Sequence, residues 1–339
     1  MKKSILILIL IILISCSSDN SSDNNTNNSP SNFDISVSEI TRISATITWT
    51  ESIDPENEVV KYDVYLDENL TIENTLVQNY NFINLEINTL YNGKVIAKDE
   101  FGNTLEKQFS FTTETISCIP DELQNEVIAF YPFNNGSLND IVNFNILTNN
   151  TSANSTSDRN SNENCAFEFN TSTNDFLTTT DTDFLNDLSE FSISLWFNPR
   201  LYWNWNYNVL VSRDEGFSCP DTYGQWSLGL YDLNRPTFGH LNSVWDQSWD
   251  SDNDYNNWHH LVATYNEINN SLSLYRNGIL EGTITDITSG CSDTPTSEDI
   301  GDLIIGKNFD GKLDDIAIFN VELNQAQVTE LFEIEPCCE

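Results

Sequence analysis

Short runs of alternating apolar and polar side chains recur along the chain at the spacing of β-strands. The pattern is strongest from Trp258 to Gly278, where polar residues 266–270 separate two alternating halves. Such an arrangement predicts a β-hairpin. Asn277 and Gly278 tolerate the positive φ angles of a tight turn, so a third strand is expected at Ile279 to Thr285. The segment therefore predicts an antiparallel meander inside a larger sheet.

Two regions of the chain share this pattern, and each predicts a β-domain. In residues 33–115, the run Ile43 to Trp49 alternates regularly, and about seven short strands predict a small sandwich. Residues 116–339 contain a longer series of strands and predict a larger sandwich. The 339 residues are enough for two hydrophobic cores. The predicted fold class is all-β, a small immunoglobulin-like sandwich followed by a larger one.

The larger region contains predicted strands on both sides of the meander. They are Val127 to Phe133, Cys165 to Asn170, Phe176 to Thr179, Phe191 to Asn198, Asn208 to Arg213, Gln225 to Tyr231, Ile304 to Ile305 and Leu313 to Phe319. The polar segment Asn149 to Asn164 is predicted as a loop.

Several motifs of this region occur in the order found in a known family. They are IAFYPFN at 128–134, FSISLWF at 191–197, WHHLVATY at 258–265 with LYRNG at 274–278, and GKLDDIAIF at 311–319. Together they resemble the laminin-G-like (concanavalin A-like) jelly-roll family of secreted bacterial proteins. The resemblance implies a jelly-roll sandwich that ends with a short amphipathic helix at Leu323 to Phe332. Because this fold hosts lectins, adhesion modules and non-catalytic parts of enzymes, it implies little about function.

The smaller region resembles a fibronectin type III domain. The resemblance rests on Trp49, on the run Tyr91-x-Gly-x-Val-x-Ala, and on a closing F-x-F-T-T at 109–113. It implies that Trp49 is the buried core tryptophan and that Tyr91 is the tyrosine-corner residue. Gly93 departs from the β-branched residue that is usual at its position.

The N-terminus predicts export and lipid attachment. Lys2 and Lys3 precede an apolar run, Ile5 to Ile14, which is too short for a permanent membrane span and has the length of a signal-peptide core. Leu13-Ile14-Ser15-Cys16 resembles the lipobox of bacterial lipoproteins, which implies that residues 1–15 are removed and Cys16 carries lipid. By the same resemblance, Ser17 favours the outer membrane, and the acidic residues that follow are compatible with exposure at the cell surface.

Residues 16–32 are predicted to be a flexible tether. No apolar side chain occurs in residues 17–32, so burial cannot offset the loss of chain entropy on ordering. The expected contact with the membrane is the lipid anchor alone.

The net charge of the chain limits the classes of partner that it can bind. The 52 acidic and 14 basic residues give a formal net charge of −38, which disfavours binding to nucleic acid or to anionic lipid. The acidity suits a soluble protein outside the cell, and it also offers carboxylates for calcium.

The cysteines predict disulfide bonds. Beyond Cys16 six remain, an even number that favours three disulfides in an oxidising compartment. Cys219 and Cys291 both lie in polar loops beside predicted strands, so we expect them to pair. Cys118 and Cys165 then pair with Cys337 and Cys338 or with each other. A zinc site is disfavoured because no C-x-x-C spacing occurs.

The jelly-roll resemblance also implies a structural calcium ion. In related domains, carbonyl groups of the loop after the first strand and aspartates of that loop and of the last strand hold the metal. The matching positions are the carbonyls of Asn135 and Gly136 and the carboxylates of Asp140 and Asp314. The alternative is that these residues are only exposed acids of an acidic protein.

Aromatic residues in two polar segments are the candidate binding residues. Tyr202, Trp203 and Trp205 alternate with asparagines, and Trp245 and Trp249 lie in a segment rich in Asp and Asn, which we predict to be a loop. We expect these rings to face solvent and to bind sugar, because exposed apolar loop patches mark interaction sites. The alternative, that rings fold back into the core, is preferred for Trp196, Trp226 and Trp258, which keep strand phase.

Enzymatic motifs are absent from the sequence. Neither G-x-S-x-G nor H-E-x-x-H occurs, and two of the three histidines, His259 and His260, belong to the W-H-H strand, where a structural role is expected. The acidic segment Glu51 to Glu56 contains Pro55, which breaks a strand, and we interpret the segment as a solvated turn.

The sequence as a whole predicts a surface-anchored, non-catalytic protein that binds a glycan or a glycosylated partner. One alternative is a protein–protein adhesion or assembly module that uses the same surface. A glycoside hydrolase is a weaker alternative, because carboxylates are too numerous to nominate an acid/base pair.

Overall fold

The computed structural model describes residues 27–338, except 144, 187, 201–206, 214–225, 232–233, 241, 251, 286 and 288–300. Several predicted sites lie outside the described residues. They are the signal peptide, Cys16, Tyr202, Trp203, Trp205, Cys219 and Cys291. Within the described part, no helix has the length and the apolar composition needed to cross a membrane.

The chain divides into two compact units. The first contains the described residues up to Glu39, with Ala45–Phe82 and Tyr91–Phe111. The second contains Ile40–Ser44 and Ile83–Leu90 together with the chain from Thr112 onward.

The first unit is a sandwich of two sheets. Its strands are β1 (Ile35–Ser38), β2 (Ala45–Trp49), β3 (Lys61–Leu66), β4 (Asn69–Thr75), β5 (Asn79–Phe82), β6 (Leu90–Lys98) and β7 (Thr104–Thr112). One sheet has the order β1-β2-β5 and the other the order β4-β3-β6-β7. These seven strands match the number that the sequence predicts.

Trp49 lies in the core of the first unit, as the sequence predicts. The alternation of β2 buries Ala45, Ile47 and Trp49, and the Trp49 side chain is 5% exposed. Its ring meets Tyr62 edge-on, with the centroids 5.5 Å apart. Tyr91, at the start of β6, is half-buried and stacks on Phe111 at 5.6 Å.

Gly93 is explained by a ring that lies over it. A Cβ atom at this position would come 2.2 Å from Cζ of Phe109 and 2.7 Å from the carbonyl oxygen of Tyr65. The departure from the usual β-branched residue therefore makes room for Phe109.

The second unit is a larger sandwich with one terminal helix. Its elements are β8 (Val127–Tyr131), β9 (Asn154–Thr156), β10 (Ala166–Phe169), β11 (Leu177–Thr179), β12 (Glu190–Pro199), β13 (Asn208–Arg213), β14 (Trp226–Tyr231), β15 (Arg235–His240), β16 (Asn242–Trp245), β17 (His259–Asn266), β18 (Ser271–Arg276), β19 (Ile279–Ile284), β20 (Leu303–Ile305), β21 (Gly311–Phe319) and α1 (Gln325–Glu333). An eight-stranded sheet has the order β19-β18-β17-β12-β21-β10-β9, with β8 also paired to β21. A six-stranded sheet has the order β11-β20-β13-β14-β15-β16.

The main core of this unit is built by side chains that alternate along the strands. In β12, Phe191, Ile193, Leu195 and Phe197 point inward, and they belong to the same apolar cluster as residues of the six-stranded sheet such as Phe238. Packed inner faces of this kind form the core of a β-sandwich. Strands at or near most of the predicted positions are confirmed.

The predicted meander is also confirmed. β17, β18 and β19 are neighbours in the eight-stranded sheet and pair antiparallel. Asn277 and Gly278 make the second turn with φ angles of 51° and 78°, the positive values that a tight hairpin needs.

Helix α1 covers the outer face of the eight-stranded sheet, close to the position that the sequence predicts. It begins with a capping box, in which the Asn324 side chain accepts from the backbone and Gln327 reaches back to the Asn324 amide. Val328 and Leu331 belong to a second apolar cluster with Val262 and other residues of the sheet.

Two disulfides join the start of the second unit to its end. Cys118 bonds Cys337, and Cys165 bonds Cys338. Of the pairings that the sequence leaves open, the one between the two early and the two terminal cysteines is therefore correct.

Three local predictions are wrong. The segment that contains Trp245 is not a loop, because Trp245 is the last residue of strand β16. Its partner strand β15 was also not predicted, because it contains Pro236 and Gly239, which are residues typical of turns. The polar segment Asn149 to Asn164 includes β9. Asp54 is not solvated, since only 1% of it is exposed.

Candidate functional site

Aromatic side chains line the outer face of the six-stranded sheet. Leu228, Leu230 and Phe238 point into the core, so the alternate residues of β14 and β15 point outward. Tyr231 pairs with Arg235 across the strands, and Thr237 pairs with Trp245. Because directly paired residues share a face, these side chains project on the same side.

Four residues form what we term the aromatic face: Tyr207, Tyr231, Arg235 and Trp245. The ring centroids of Tyr231 and Trp245 are 5.5 Å apart, and those of Tyr207 and Tyr231 are 6.3 Å apart. The Arg235 guanidinium lies 5.4 Å from the centroid of the Trp245 ring. Tyr231 is 37% exposed and Trp245 is half-buried. The face thus combines one exposed ring with half-buried rings and a half-buried guanidinium.

Tyr207 is the anchored end of the aromatic face. A Cβ at Gly229 would lie 2.6 Å from Cζ of Tyr207, so the glycine lets this ring lie across β14. Ser227 donates a hydrogen bond of 2.9 Å to the Tyr207 hydroxyl. Burial raises the pKa of Tyr207 above its usual value, and the bond to Ser227 only partly opposes this shift. Tyr207 is therefore neutral.

Sequence reasoning named Trp245 as a binding residue but missed Tyr231 and Arg235. The signal for Tyr231 was its phase, which is opposite to that of Trp226, Leu228 and Leu230 in the same strand. Tyr202, Trp203 and Trp205 come just before Tyr207 in the sequence, but their positions are outside the described residues.

Trp249 differs from Trp245, because its ring packs toward the core. Its centroid is 6.1 Å from that of Phe197 and 5.5 Å from that of His259. The Arg276 guanidinium covers the ring at 5.4 Å and pairs with the buried carboxylate of Asp246 at 2.6 Å. The expectation that Trp249 faces solvent is not met, since these contacts hold a half-buried ring.

Asp140, a predicted calcium ligand, is surrounded by hydrogen-bond donors. Oδ1 accepts from the amides of Phe130 and Val142 at 2.9 and 2.8 Å, and Oδ2 accepts from the Asn143 amide and the Asn145 side chain, both at 3.1 Å. Burial raises its pKa, although these bonds oppose the shift. A carboxylate offers about four acceptor positions, so a cation would have to displace a donor.

The other three predicted calcium ligands have their own surroundings. Asn135 and Gly136 lie in a turn with φ angles of 54° and 71°. Beside them, the side-chain oxygen of Asn134 is buried without a hydrogen-bond partner. Asp314 accepts from the amide of Asp315 at 2.8 Å and lies 3.4 Å from Arg159. The calcium site stays a prediction.

Asp314 belongs to a buried charge cluster centred on Arg159. The guanidinium contacts Asp315 at 2.7 Å, donates to the carbonyl of Ile334 at 3.1 Å, and lies 4.2 Å from the centroid of the Trp196 ring. Burial raises the pKa of Asp315, and Arg159 opposes that shift. The cluster therefore joins β21 to the segment after α1.

Ser194 and His260 form a buried pair that superficially resembles a nucleophile and its base. Ser194 Oγ lies 2.8 Å from His260 Nε2. The adjoining cavity measures about 20 Å³, which is room for a single water molecule. Burial, with the charge of Arg159 adding to it, lowers the pKa of His260 to about 3. The pair is too enclosed to receive a substrate.

Comparisons with known proteins agree with this architecture. The sequence model of the concanavalin A-like lectin/glucanases superfamily matches residues 170–329, and that of the fibronectin type III domain matches residues 28–113. The chain is thus an all-β protein of two sandwiches. It carries a fibronectin type III domain followed by a larger concanavalin A-like domain. No curated protein matches the chain in sequence.

Solved structures with similar folds include three of stated origin. The binding domain of Paraclostridial Mosquitocidal Protein 1 is 19% identical, with a TM-score of 0.49, over 62% of this chain and 52% of that one. Domain 4 of AbnA, a GH43 extracellular arabinanase from Geobacillus stearothermophilus, in complex with arabinotriose, is 18% identical, with a TM-score of 0.45, over 61% and 98%.

The third is the binding domain of botulinum neurotoxin DC in complex with rat synaptotagmin II. It is 18% identical, with a TM-score of 0.45, over 61% of this chain and 51% of that one. The chain therefore covers about half the length of the mosquitocidal and neurotoxin domains.

Proposed function

We propose that the concanavalin A-like domain binds a glycan without catalysis and that the aromatic face makes the contact. The observation that carries the proposal is the pair of rings formed by exposed Tyr231 and half-buried Trp245, held 5.5 Å apart with Arg235 beside the indole. Ring faces pack against the C–H groups of a sugar, while a guanidinium donates hydrogen bonds to its hydroxyls. The residues of one face therefore match both surfaces of a saccharide.

The charge of the chain favours a neutral glycan. With a formal net charge of −38, the protein repels polyanionic polysaccharides at long range. Arg235 is one cation on this face, and its ring contact with Trp245 shows how it is oriented. Uncharged hexose or pentose polymers fit these surroundings better than sulfated or uronic-acid polymers.

The proposed place of action is the cell surface. The apolar run Ile5 to Ile14 and the lipobox-like LISC at 13–16 support export and a lipid on Cys16. A fibronectin type III domain between anchor and binding domain would then act as a spacer.

The test is binding of the purified protein to a glycan array, compared with Trp245→Ala. We expect wild type to bind neutral glycans and Trp245→Ala to lose about tenfold or more in affinity, because one ring contact contributes about 1.4 kcal/mol. Trp249→Phe is the matched control, since it removes an indole that packs toward the core. Circular dichroism confirms that each variant is folded.

Two results of this experiment would contradict the proposal, and a third would relocate the binding site. Folded wild type that binds no glycan contradicts the proposal, and so does a Trp245→Ala variant that binds as well as wild type. Loss of binding in Trp249→Phe alone would move the site to the loop around Trp249.

A protein partner at the same face is the second candidate. Tyr, Trp and Arg, the residue types of the aromatic face, are those that dominate protein–protein contacts. The test is capture of a protein from the cell envelope. Capture that persists after the partner has been enzymatically deglycosylated, but is lost in Trp245→Ala, would favour this candidate.

A further inference from the structure

Three carboxylates meet in the first unit, far in sequence from the aromatic face. Asp54 and Glu58 come from the loop between β2 and β3, and Asp99 from the turn between β6 and β7. Each places a carboxylate oxygen within 4.8 Å of the others. Asp54 is 1% exposed, Asp99 is 8% exposed and Glu58 is half-buried. The cluster is therefore largely removed from water.

Two oxygens of this cluster are buried and have no hydrogen-bond partner among the described residues. Asp54 Oδ1 accepts from the amides of Glu56 and Glu58, at 2.8 and 3.2 Å, but Asp54 Oδ2 accepts no hydrogen bond. Oε2 of Glu58 is likewise buried and unpaired. Leaving charged oxygens buried without a donor or a cation is strongly unfavourable. No donor among the described residues satisfies them.

No basic side chain serves this role within the part of the chain that the structure describes. The ion pairs of the first unit there join Lys94 to Glu68 and Glu106, and Lys98 to Asp63. None includes Asp54, Glu58 or Asp99. The negative charges accordingly act on one another: burial raises the pKa of Glu58 above its usual value, and the charges of Asp54, Asp99 and Glu100 add to that shift.

Asp99 is already oriented toward the cluster. Its Oδ1 accepts from the amides of Phe101 and Asn103, and its Oδ2 from the side chains of Asn27 and Asn103. Burial acts to raise the pKa of Asp99, but these bonds outweigh it and hold the pKa below its usual value. Asp99 is therefore ionised. Like Asp140 it accepts four hydrogen bonds, so a cation would have to displace a donor, and the Asn27 side chain on Oδ2 is the one that can turn aside.

We propose that Asp54, Glu58 and Asp99 bind a calcium ion. Hard carboxylate oxygens from two separate loops suit a large cation with irregular coordination, whereas magnesium requires a nearly ideal octahedron. Water molecules complete the shell. The ion would satisfy the two unpaired oxygens and join the β2–β3 loop to the β6–β7 turn.

The test uses the purified full-length protein, stripped with EGTA and titrated with CaCl2 by calorimetry. Asp54→Asn and Glu58→Gln are expected to bind one calcium ion fewer than wild type. Asparagine keeps the oxygen that caps the Glu56 and Glu58 amides and replaces the unpaired oxygen by an amide, so the loop is retained. Glu51→Gln removes an exposed carboxylate of the same loop and should bind as wild type does.

Thermal unfolding gives a second measurement. In EGTA, Asp54→Asn should melt at the same temperature as wild type or higher, because like charges are removed. Calcium should then raise the melting temperature of wild type and Glu51→Gln more than that of either cluster variant. Equal numbers of bound ions and equal calcium responses in all four proteins would overturn the proposal. An equal response to MgCl2 would overturn the choice of calcium.

Discussion

Two glycines show how a missing Cβ positions an aromatic ring. Gly93 leaves room for Phe109 in the fibronectin type III domain, and Gly229 leaves room for Tyr207 on the aromatic face. At both positions an added Cβ would fall within 3 Å of a ring carbon and of a backbone oxygen. The backbone cannot move as a side chain can, so both positions exclude larger residues.

Gly93→Ala should therefore destabilise the first unit by about 1–3 kcal/mol, the usual cost of overpacking. Hydrogen exchange measured by mass spectrometry should show faster exchange in β3 and β6, with β17 and β18 unchanged. Asn92→Ala is the control, because Asn92 is exposed on the same strand. Equal protection in the two variants would contradict the steric argument.

Several independent contacts hold the C-terminal segment, which consists of α1 and the residues after it. Helix α1 packs Val328 and Leu331 on the eight-stranded sheet. Beyond it, Arg159 bonds the carbonyl of Ile334, and Cys337 and Cys338 form disulfides. The segment from α1 to Cys338 is thus part of the sandwich.

The Cys118–Cys337 disulfide closes a loop with a sequence separation of 219. Cross-links of long loops restrict the unfolded chain most, and their removal typically costs about 2–5 kcal/mol. We expect Cys118→Ala with Cys337→Ala to lower the free energy of unfolding in urea by that amount. Reduction of wild type with dithiothreitol should lower it at least as far; unchanged stability in both experiments would show that the bond contributes nothing.

The stability of the folded protein depends on pH through a few buried titratable groups. The pKa of His260 is lowered to about 3, whereas the pKa of an unfolded histidine is about 6.5. At a pH between these two pKa values, His260 is therefore protonated in the unfolded chain and neutral in the folded chain. The stability from neutral His260 is present above about pH 6.5 and is lost as the pH falls toward 3. Asp140, Asp314 and Asp315, whose pKa values burial raises, act in the opposite direction.

A His260→Gln variant isolates the histidine. Between pH 7 and pH 4, wild type should lose up to about 3 kcal/mol more stability than the variant, because only wild type has a histidine to protonate on unfolding. Urea unfolding at a series of pH values measures the difference. Parallel stability curves for the two proteins would show that His260 does not titrate in this way.

Local patterns were sufficient for much of the fold and for one residue of the candidate site. The β17–β19 meander depends on alternation and on the Asn277-Gly278 turn, which are properties of neighbouring residues. The core position of Trp49 is instead what the resemblance to a fibronectin type III domain implies. Trp245 was recognised as a binding candidate, although the sequence places it in a loop and the structure places it at the end of β16.

The sequence by itself determined an all-β chain of two sandwiches, because strand periodicity and turn residues act over a few positions. Only the tertiary structure decided which cysteines pair, that Trp245 lies on a sheet face while Trp249 packs toward the core, and that Asp54 is buried among other carboxylates. These outcomes depend on contacts between residues that are distant in the chain. No local pattern records such contacts, since folding brings the partners together.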